Sequence, residues 1–302
     1  MYDLIIVGAG PAGLTAALFA KRQGLDTLVL DNSSQPSNLA ITHLLENYPG
    51  FDKISGADLL NLMKKQVTDH GCEVKDDKVT VILREKDRFI VRARNDYESK
   101  AIIIAMGLKY RKANIPGSEK FFGKGVSYCV VCDGPLFRGK DIAIIGGGNS
   151  AVKGALFMKD MAKNVYIIHR RDELRAEKII QDRVKNSSVK IIWNSIGEEI
   201  IGKDFVEAIK IRNIKTNEIT VLPVNAVFME IGSVPVTNLI KDLGVKLDED
   251  GFIITNEKKE TNIPGIFAAG DISNNQLKQD ITATADGAIA AISAYNYIMG
   301  EE

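Results

Sequence analysis

The sequence predicts an α/β fold made of two Rossmann-like domains, each a three-layer ββα arrangement, with one domain inserted into the other. Short apolar strands alternate with amphipathic helical stretches along the 302 residues, a pattern typical of parallel sheets covered by helices. A strand, a glycine-rich turn and a helix follow one another twice, near residues 4–23 and 142–158. Because only two copies occur and they lie far apart, they indicate two domains rather than a repeat array.

The first copy has the spacing of a dinucleotide-binding turn. Gly8 permits the tight turn, Gly10 leaves room for phosphates beside the backbone, and Gly13 lets the helix pack against the strand. The helix N-terminus presents N–H groups to the phosphates. The next strand ends at Asp31, whose carboxylate is expected to accept hydrogen bonds from ribose hydroxyls. The residues predicted to bind the first dinucleotide are Gly8, Gly10, Pro11, Ala12, Gly13 and Asp31.

The helix of this first copy is expected to run from about Pro11 to Gln23, because Gly24 is a typical residue just beyond a helix end. The strand that follows is expected at residues 27–30. These bounds complete a strand–turn–helix–strand unit around the predicted dinucleotide.

The second copy differs from the first at both of its ends. Ala151 stands at the third glycine position, a tolerated variant. The next strand, expected at residues 164–168, is followed by His169-Arg170-Arg171 and not by an acid at its end. The residues predicted to bind a second dinucleotide here are Gly146, Gly148, Asn149, Ser150, His169, Arg170, Arg171 and Arg175.

Three arginines occupy the place of the missing acid. Guanidinium groups form paired, charge-assisted hydrogen bonds with phosphate, so this segment predicts a 2′-phosphate and therefore NADPH rather than NADH. The alternative is a solvated basic helix start, because Asp172 and Glu173 lie beside the arginines.

Two of the three cysteines, Cys129 and Cys132, form a C-x-x-C pair followed by Asp133. This spacing allows a disulfide that opens and closes, and the carboxyl group is placed to handle protons. A zinc site is the rival interpretation, but it needs four ligands. The remaining cysteine, Cys72, and the histidines are scattered, which favours redox chemistry; the histidines are His43, His70 and His169. Cys72 is expected to be a packed small side chain.

Composition excludes several other classes of protein. Lys plus Arg and Asp plus Glu both number 39, so the formal net charge is zero, which argues against a broad nucleic-acid surface. No apolar run reaches the ~18 residues of a membrane span, and the N-terminus leads directly into a strand without signal-peptide features. We therefore expect a cytoplasmic protein with no nucleic-acid or membrane partner.

Taken together, the motifs resemble low-molecular-weight thioredoxin reductase over nearly the whole chain. The matching segments are residues 8–13, 46–50, 129–134, 146–151, 169–175, 265–271 and 278–279, in the order found in that family. The resemblance implies an FAD-binding domain split into residues 1–111 and 241–302, and an NADPH-binding domain at 112–240 that carries the cysteine pair. It also implies a homodimer whose partner is thioredoxin or a similar small disulfide protein.

The resemblance further assigns roles to single residues. Cys132 contacts the flavin, Cys129 attacks the partner disulfide, and Asp133 handles protons. The smaller domain rotates about the crossings near 109–116 and 232–238. The remaining FAD-binding residues that it implies are Asn38, Asn47, Gly270, Asp271, Lys278, Gln279 and Ile281.

The chain departs from the family pattern at four places, namely Pro36-Ser37-Asn38, Met106, Lys153-Gly154 and Lys278. These departures leave open an unusual electron donor or a partner other than ordinary thioredoxin. A second interpretation therefore keeps FAD and the dithiol but uses ferredoxin as donor or oxygen as acceptor, against which the arginine cluster argues. A third is a flavin- or nucleotide-binding protein with a structural cysteine pair.

Overall fold

The computed structural model describes residues 1–34, 36–40, 42, 45–111 and 113–301. The strands are β1 (Tyr2–Val7), β2 (Thr27–Asp31), β3 (Glu73–Asp76), β4 (Val81–Glu85), β5 (Arg88–Arg92), β6 (Asp96–Ile104), β7 (Leu108–Tyr110), β8 (Val126–Ser127), β9 (Asp141–Gly146), β10 (Asn164–Ile168), β11 (Lys190–Ile192), β12 (Ser195–Gly202), β13 (Val206–Asn213), β14 (Ile219–Pro223), β15 (Ala226–Glu230), β16 (Ser233–Pro235) and β17 (Ile266–Ala268).

The α-helices are α1 (Pro11–Arg22), α2 (Gly56–Asp69), α3 (Val130–Asp133), α4 (Asn149–Met158), α5 (Lys178–Lys185) and α6 (Asp280–Met299). Short 3₁₀ turns lie at Gly134–Phe137, Asn238–Leu243 and Gly270–Ile272. In the described part of the chain, no helix combines the length and the apolar character needed to cross a bilayer.

The chain divides into two compact units. The first unit contains Met1–Lys109 and Val234–Glu302, and the second contains Tyr110–Ser233. The sequence placed the boundaries at 111/112 and 240/241, two and seven residues later than the boundaries in the structure. The cofactor assigned to each unit stays a prediction at this point.

The first unit is built on a sheet with the order β3-β2-β1-β6-β5-β4, and β17 also pairs with β6. Both faces of β1 are buried, because alternate side chains enter different cores. Leu4 and Ile6 pack toward α1 and α6, while Ile5 and Val7 pack toward the antiparallel strands β4 and β5. This packing on both faces explains why residues 4–7 of β1 form an unbroken apolar run.

The second unit repeats this design with a parallel sheet in the order β11-β10-β9-β15-β8 and an antiparallel sheet in the order β12-β13-β14. Ile142 and Ile144 of β9 share a core with α4, whereas Ala143 and Ile145 share a core with β13. Each unit therefore has a three-layer ββα arrangement, and the fold class predicted from the sequence is confirmed.

The elements around the first glycine turn match the expected bounds closely. Helix α1 begins at Pro11 as expected and ends at Arg22, one residue earlier than expected, with Gln23 as its C-cap. Gly24 has a φ of 83°, the left-handed conformation that explains why a glycine follows this helix.

Candidate functional site

The first glycine loop brings backbone segments closer together than any side chain would allow. Gly8 has a φ of 109°, and a Cβ added to it would lie 2.5 Å from the carbonyl oxygen of Ala105. A Cβ added to Gly13 would lie 1.8 Å from the carbonyl oxygen of Gly8. These two glycines therefore serve the packing of β1, α1 and the end of β6.

Gly10 has a different role in the same loop. It is the N-cap of α1, where no side chain caps the first turn, and Pro11 occupies the beginning of the helix. A Cβ added to Gly10 would meet only the Cβ of Ser37, at 3.6 Å. The N-terminal N–H groups of α1 thus lie at an open position that suits an anionic group.

Asp31 ends β2 beside this loop, as the sequence predicted. Its Oδ1 accepts a hydrogen bond from the Ala9 N–H at 3.1 Å, which holds the carboxylate against the glycine turn. Oδ2 has no hydrogen-bond partner among the described residues. One carboxylate oxygen therefore orders the loop, and the other is available to a ribose hydroxyl.

A cavity of about 360 Å³ opens at the carboxyl ends of the strands in the first unit. Its volume is within the range of small-molecule sites. The predicted residues that line it are Gly8, Gly10, Pro11, Ala12, Asp31, Asn38, Gly270 and Asp271. The predicted residues that do not line it are Gly13, Asn47, Lys278, Gln279 and Ile281.

Asn47 and Gln279 lie far apart in sequence but are in direct contact. The Nδ2 of Asn47 donates to the Oε1 of Gln279 at 3.0 Å. Gln279 is also the N-cap of α6, where it forms a capping box with Thr282. The structure thus brings together two residues that the family resemblance implied for FAD binding.

Lys278, which the family resemblance implied for FAD binding, forms its hydrogen bonds with backbone carbonyl groups. Its Nζ donates to the carbonyl oxygens of Asp271 and Ser273 at 3.0 and 2.7 Å, and it lies 3.9 Å from the ring centroid of Phe252. Burial lowers the pKa of its ammonium group. Lys278 therefore supports the loop that carries Asp271. Asn38 likewise bonds to protein, since its Nδ2 donates to the Leu108 carbonyl at 3.2 Å.

The cavity also contains a carboxyl group that the sequence analysis missed. Asp280, the first residue of α6, lines the cavity together with Asp271. Burial, and to a lesser degree the charge of Asp271, raise the pKa of Asp280 to about 6. Burial also raises the pKa of Asp271, while Lys278 opposes that change. The position of Asp280 directly after Gln279, a residue that the family resemblance implied for FAD binding, was the only available signal.

The second glycine loop is held by the basic segment that follows β10. Asn149 and Glu177 form a reciprocal pair, in which Nδ2 of Asn149 donates to Oε1 of Glu177 at 3.0 Å and Oδ1 accepts from the Glu177 N–H at 2.8 Å. The Arg175 N–H donates to the Gly147 carbonyl at 2.7 Å. Gly148 is the N-cap of α4 and has no side-chain cap, and Ser150 is exposed in the first turn.

The three predicted phosphate-binding arginines, Arg170, Arg171 and Arg175, are exposed. Among the residues that the structure describes, none of their guanidinium groups forms a salt bridge. The neighbouring acid Asp172 instead binds Nζ of Lys215 at 2.8 Å. The arginines do not begin a helix, because α5 starts only at Lys178. Their exposure is compatible both with a solvated basic segment, the alternative that the sequence left open, and with a phosphate site.

His169 is buried behind this basic segment rather than exposed with it. Its Nε2 is 3.0 Å from the carbonyl oxygen of Glu173, and burial lowers the pKa of the imidazole. A Cβ added to Gly147 would lie 2.3 Å from the His169 ring. The His169 ring therefore packs directly against the backbone of the glycine loop at Gly147.

Cys129 and Cys132 form a disulfide, with their Cα atoms 5.3 Å apart. Cys129 is the N-cap of α3, and its sulfur accepts the Cys132 N–H at 3.1 Å. Ser127, which the sequence analysis missed, donates its hydroxyl to Oδ2 of Asp133 at 2.5 Å and accepts the Cys129 N–H at 3.0 Å. One hydroxyl thus connects the predicted proton-handling acid to the predicted attacking cysteine.

The metal interpretation finds no support in the described residues, which contain no cluster of ligands able to hold a metal ion. Cys72 is buried, and its thiol donates to the Thr27 carbonyl at 3.4 Å. Burial raises the pKa of this thiol to about 11, so it is an unreactive core group. His43 lies outside the described residues.

Comparisons with known proteins agree with this geometry. A family model described as pyridine nucleotide-disulphide oxidoreductase matches residues 2–287. The chain is 43% identical over 302 residues to a "34.2 kDa protein in rubredoxin operon" of Clostridium pasteurianum, covering 99% of this chain and 98% of that protein. It is 42% identical over 301 residues to a thioredoxin reductase of Listeria innocua, covering 99% and 94%.

Among solved structures, a thioredoxin reductase from Streptococcus pyogenes is similar to this chain with a TM-score of 0.95. The two sequences are 42% identical, and the match covers 99% of each chain. The likeness therefore extends over both units of the fold.

Proposed function

Since this chain belongs to the pyridine nucleotide-disulphide oxidoreductase family, we propose that it is an NADPH-dependent thioredoxin-disulfide reductase. In this proposal electrons pass from NADPH through FAD to the Cys129–Cys132 disulfide, and from there to thioredoxin or a similar protein disulfide. The observation that carries it is the disulfide itself, which lies in the same unit as a glycine loop flanked by exposed arginines.

FAD fits the first unit. The uncapped N-terminus of α1 at Gly10 suits the pyrophosphate, and the open oxygen of Asp31 suits a ribose. The cavity beside them continues to Gly270 and Asp271. We assign Asn47, Gln279 and Ile281 to the region of the isoalloxazine ring. Lys278 would act indirectly, by supporting the loop that carries Asp271.

NADPH fits the second unit. The uncapped N-terminus of α4 at Gly148 suits its pyrophosphate, and Arg170, Arg171 and Arg175 suit the 2′-phosphate. His169 and Asn149 would act by holding the loop. When bound, NADPH supplies a hydride and FAD relays the electron pair to sulfur.

The protein residues carry the thiol chemistry. Two electrons and two protons open the disulfide, and we assign Cys132 as the sulfur that receives the electrons. The carboxyl group of Asp133, held by Ser127, delivers a proton. The Cys129 thiolate then attacks one sulfur of the partner disulfide, and Cys132 attacks Cys129 in the mixed disulfide, which releases the reduced partner and restores the disulfide.

We further propose a homodimer in the cytoplasm. The first unit exposes several large apolar side chains that a second copy would cover, namely Phe19, Leu62, Ile289 and Met299. A single redox pair and one buried thiol are typical of a reducing compartment. Light scattering of the purified protein tests the dimer, and a monomer at micromolar concentration would contradict it.

Anaerobic titration with NADPH and, separately, NADH tests the electron path. NADPH should bleach the oxidised flavin and expose two new thiols per chain. Bleaching by reduced ferredoxin but not by NADPH would instead support the alternative donor, which the cluster of exposed arginines disfavours. Bleaching without new thiols would favour a structural cysteine pair.

Replacing either redox cysteine gives the complementary test. Cys129→Ser and Cys132→Ser should each abolish turnover of a protein disulfide, because a single thiol cannot regenerate the disulfide. FAD should stay bound, since neither residue lies in the unit assigned to FAD. Cys72→Ser is the matched control and should keep turnover. Wild-type turnover in either redox-pair variant would contradict the dithiol assignment.

A further inference from the structure

Glu230 is the last residue of β15, and the thiol chemistry described above gives it no role. Strand β15 lies between β9 and β8 in the parallel sheet. The second glycine loop follows β9, and the segment that contains Cys129 follows β8. Because the strands are parallel, Glu230 lies at the edge where both segments leave the sheet.

The backbone of Glu230 packs tightly under the glycine loop. Glu230 pairs in register with Gly146. A Cβ added to Gly146, whose φ is 155°, would lie 2.3 Å from the Glu230 carbonyl oxygen. The end of β15 and the second glycine loop are therefore in tight contact, so that neither can move without the other.

The side chain of Glu230 reaches the disulfide segment. Its Oε1 accepts the N–H of Val130 at 3.2 Å, although the two residues are 100 positions apart. Val130 is the first residue of α3 and directly follows Cys129. First-turn N–H groups have no partner within their own helix, so Glu230 satisfies one that burial would otherwise leave unpaired.

Burial is also the main influence on the Glu230 carboxyl group, and it raises the pKa to about 7, against the opposing effect of the Val130 N–H. Both the neutral and the ionised carboxyl group keep an oxygen that accepts this N–H. The contact is therefore compatible with either charge state.

We propose that Glu230 is a positioning residue for the Cys129–Cys132 disulfide, because its carboxyl oxygen holds the backbone after Cys129 at the strand end that supports the second glycine loop. The purpose of this role rests on the proposed function, but the disulfide equilibrium is a property of the chain itself. A backbone ordered in advance loses less conformational entropy when the disulfide closes, which favours the disulfide over the dithiol.

The test is the equilibrium of the full-length, FAD-loaded protein with glutathione. Two glutathione thiols reduce the protein disulfide, which yields the dithiol and one glutathione disulfide, and alkylation of thiols gives the ratio. Glu230→Gln keeps an acceptor oxygen and should stay within about twofold of wild type. Glu230→Ala removes it and should shift the equilibrium toward the dithiol by about fivefold, the order of the entropy cost of fixing the backbone of one residue.

Glu207→Ala, at an exposed glutamate of the same unit, is the matched control and should match wild type. Wild-type behaviour of Glu230→Ala would overturn the proposal. An equal shift in Glu230→Gln would also overturn it, because the charge rather than the acceptor oxygen would then matter.

If Glu230→Ala does not fold, hydrogen exchange of the Val130 amide decides the question. Slow exchange in wild type and in Glu230→Gln supports the proposal, and fast exchange in wild type overturns it. None of these measurements uses NADPH. A failure of NADPH to bleach the flavin would therefore refute the proposed function without changing the result for Glu230.

Discussion

At the scale of single residues, the redox cysteines and Asp133 are held by hydrogen bonds with residues that belong to no recognisable sequence motif. Ser127 bonds both Asp133 and the backbone of Cys129, and Glu230 bonds the backbone of Val130. The cysteines were predictable because their chemistry needs a fixed spacing. Ser127 was not predictable, because nothing in the motif marks the hydroxyl that precedes the cysteine pair, although its partners lie within six residues. Glu230 was not predictable either, because its contact with Val130 arises only when β8 and β15 become neighbours in the sheet.

The exposed arginines give the sharpest test at this scale. Arg170→Ala should weaken NADPH binding by about tenfold or more, which corresponds to the loss of a charge-assisted pair worth about 1.5–3 kcal/mol. NADH binding should change little, because NADH lacks the 2′-phosphate. Calorimetry with both nucleotides measures the difference, with Lys203→Ala, at an exposed lysine of the same unit, as the control. Equal losses for NADPH and NADH would remove the phosphate argument.

Asp280 gives a prediction about pH. Its pKa is raised from an ordinary 3.8 to about 6 in the folded protein, so the folded state binds more protons than the unfolded state between these values. Stability therefore falls as pH rises through this window. Asp280→Asn removes that loss, and the variant should be more stable than wild type above pH 6, by up to about 3 kcal/mol.

Urea unfolding of the FAD-free protein at pH 7 and near pH 4 measures this effect. The advantage of Asp280→Asn should be present at pH 7 and should shrink toward zero at the lower pH. An advantage of equal size at both values would show that the substitution acts through packing or hydrogen bonding instead of ionisation.

At the scale of elements, the two glycine turns were predictable because each combines a strand, a fixed spacing and a helix start. The spacing did not reveal that the glycines of one loop serve different purposes. Gly13 allows contact between backbones, whereas Gly10 leaves space open. The two roles can be distinguished by the atoms that an added Cβ would contact, which include backbone atoms of Gly8 at Gly13 but comprise only the Cβ of Ser37 at Gly10.

This separation predicts opposite outcomes for two similar substitutions. Gly13→Ala should destabilise the fold, because its Cβ would lie 1.8 Å from the Gly8 carbonyl oxygen. Gly10→Ala should fold normally and lose FAD affinity, because its methyl group would point toward the space assigned to the phosphates. Thermal unfolding and FAD titration of the two FAD-free variants measure the two effects. Equal stability of both variants would contradict this division of roles.

Sequence patterns were less informative about the layers that cover the sheets. The apolar runs of β1 and β9 predicted buried strands, and the structure shows both of their faces covered. The partner of each face depends on long-range pairing, such as β17 with β6, which no local pattern records. For the same reason no local pattern predicted the contact between Asn47 and Gln279, and the family resemblance implied only that both bind FAD.

At the scale of the whole molecule, the second unit is continuous in sequence while the first is assembled from both ends of the chain. The C-terminal part supplies β17 to the central sheet and α6 to the helical layer against α1. It also supplies Gly270 and Asp271 to the cavity. The first unit is therefore incomplete without residues 234–302.

Removing parts of the chain tests this dependence. A protein that ends at Ser233 should not bind FAD, because it lacks β17, α6 and one side of the cavity. A protein in which a short Gly-Ser linker joins Lys109 to Val234 should bind FAD, because every strand of the first sheet is present. Flavin absorbance after gel filtration distinguishes them. FAD retained by the truncated protein would contradict the assembly described here.

The pairing of β6 with β17 also affects how the first unit can fold while the chain is being synthesised. The edge of β6 at Ile102–Ile104 is completed only by Ile266–Ala268. At about 5–20 residues per second, roughly ten seconds or more pass between the synthesis of β6 and the synthesis of β17, and the apolar edge of β6 stays unpaired during that time. The second unit is synthesised completely within this interval and can fold. During this interval the nascent chain presents an open strand to its neighbours, which makes the growing polypeptide a natural client for chaperones.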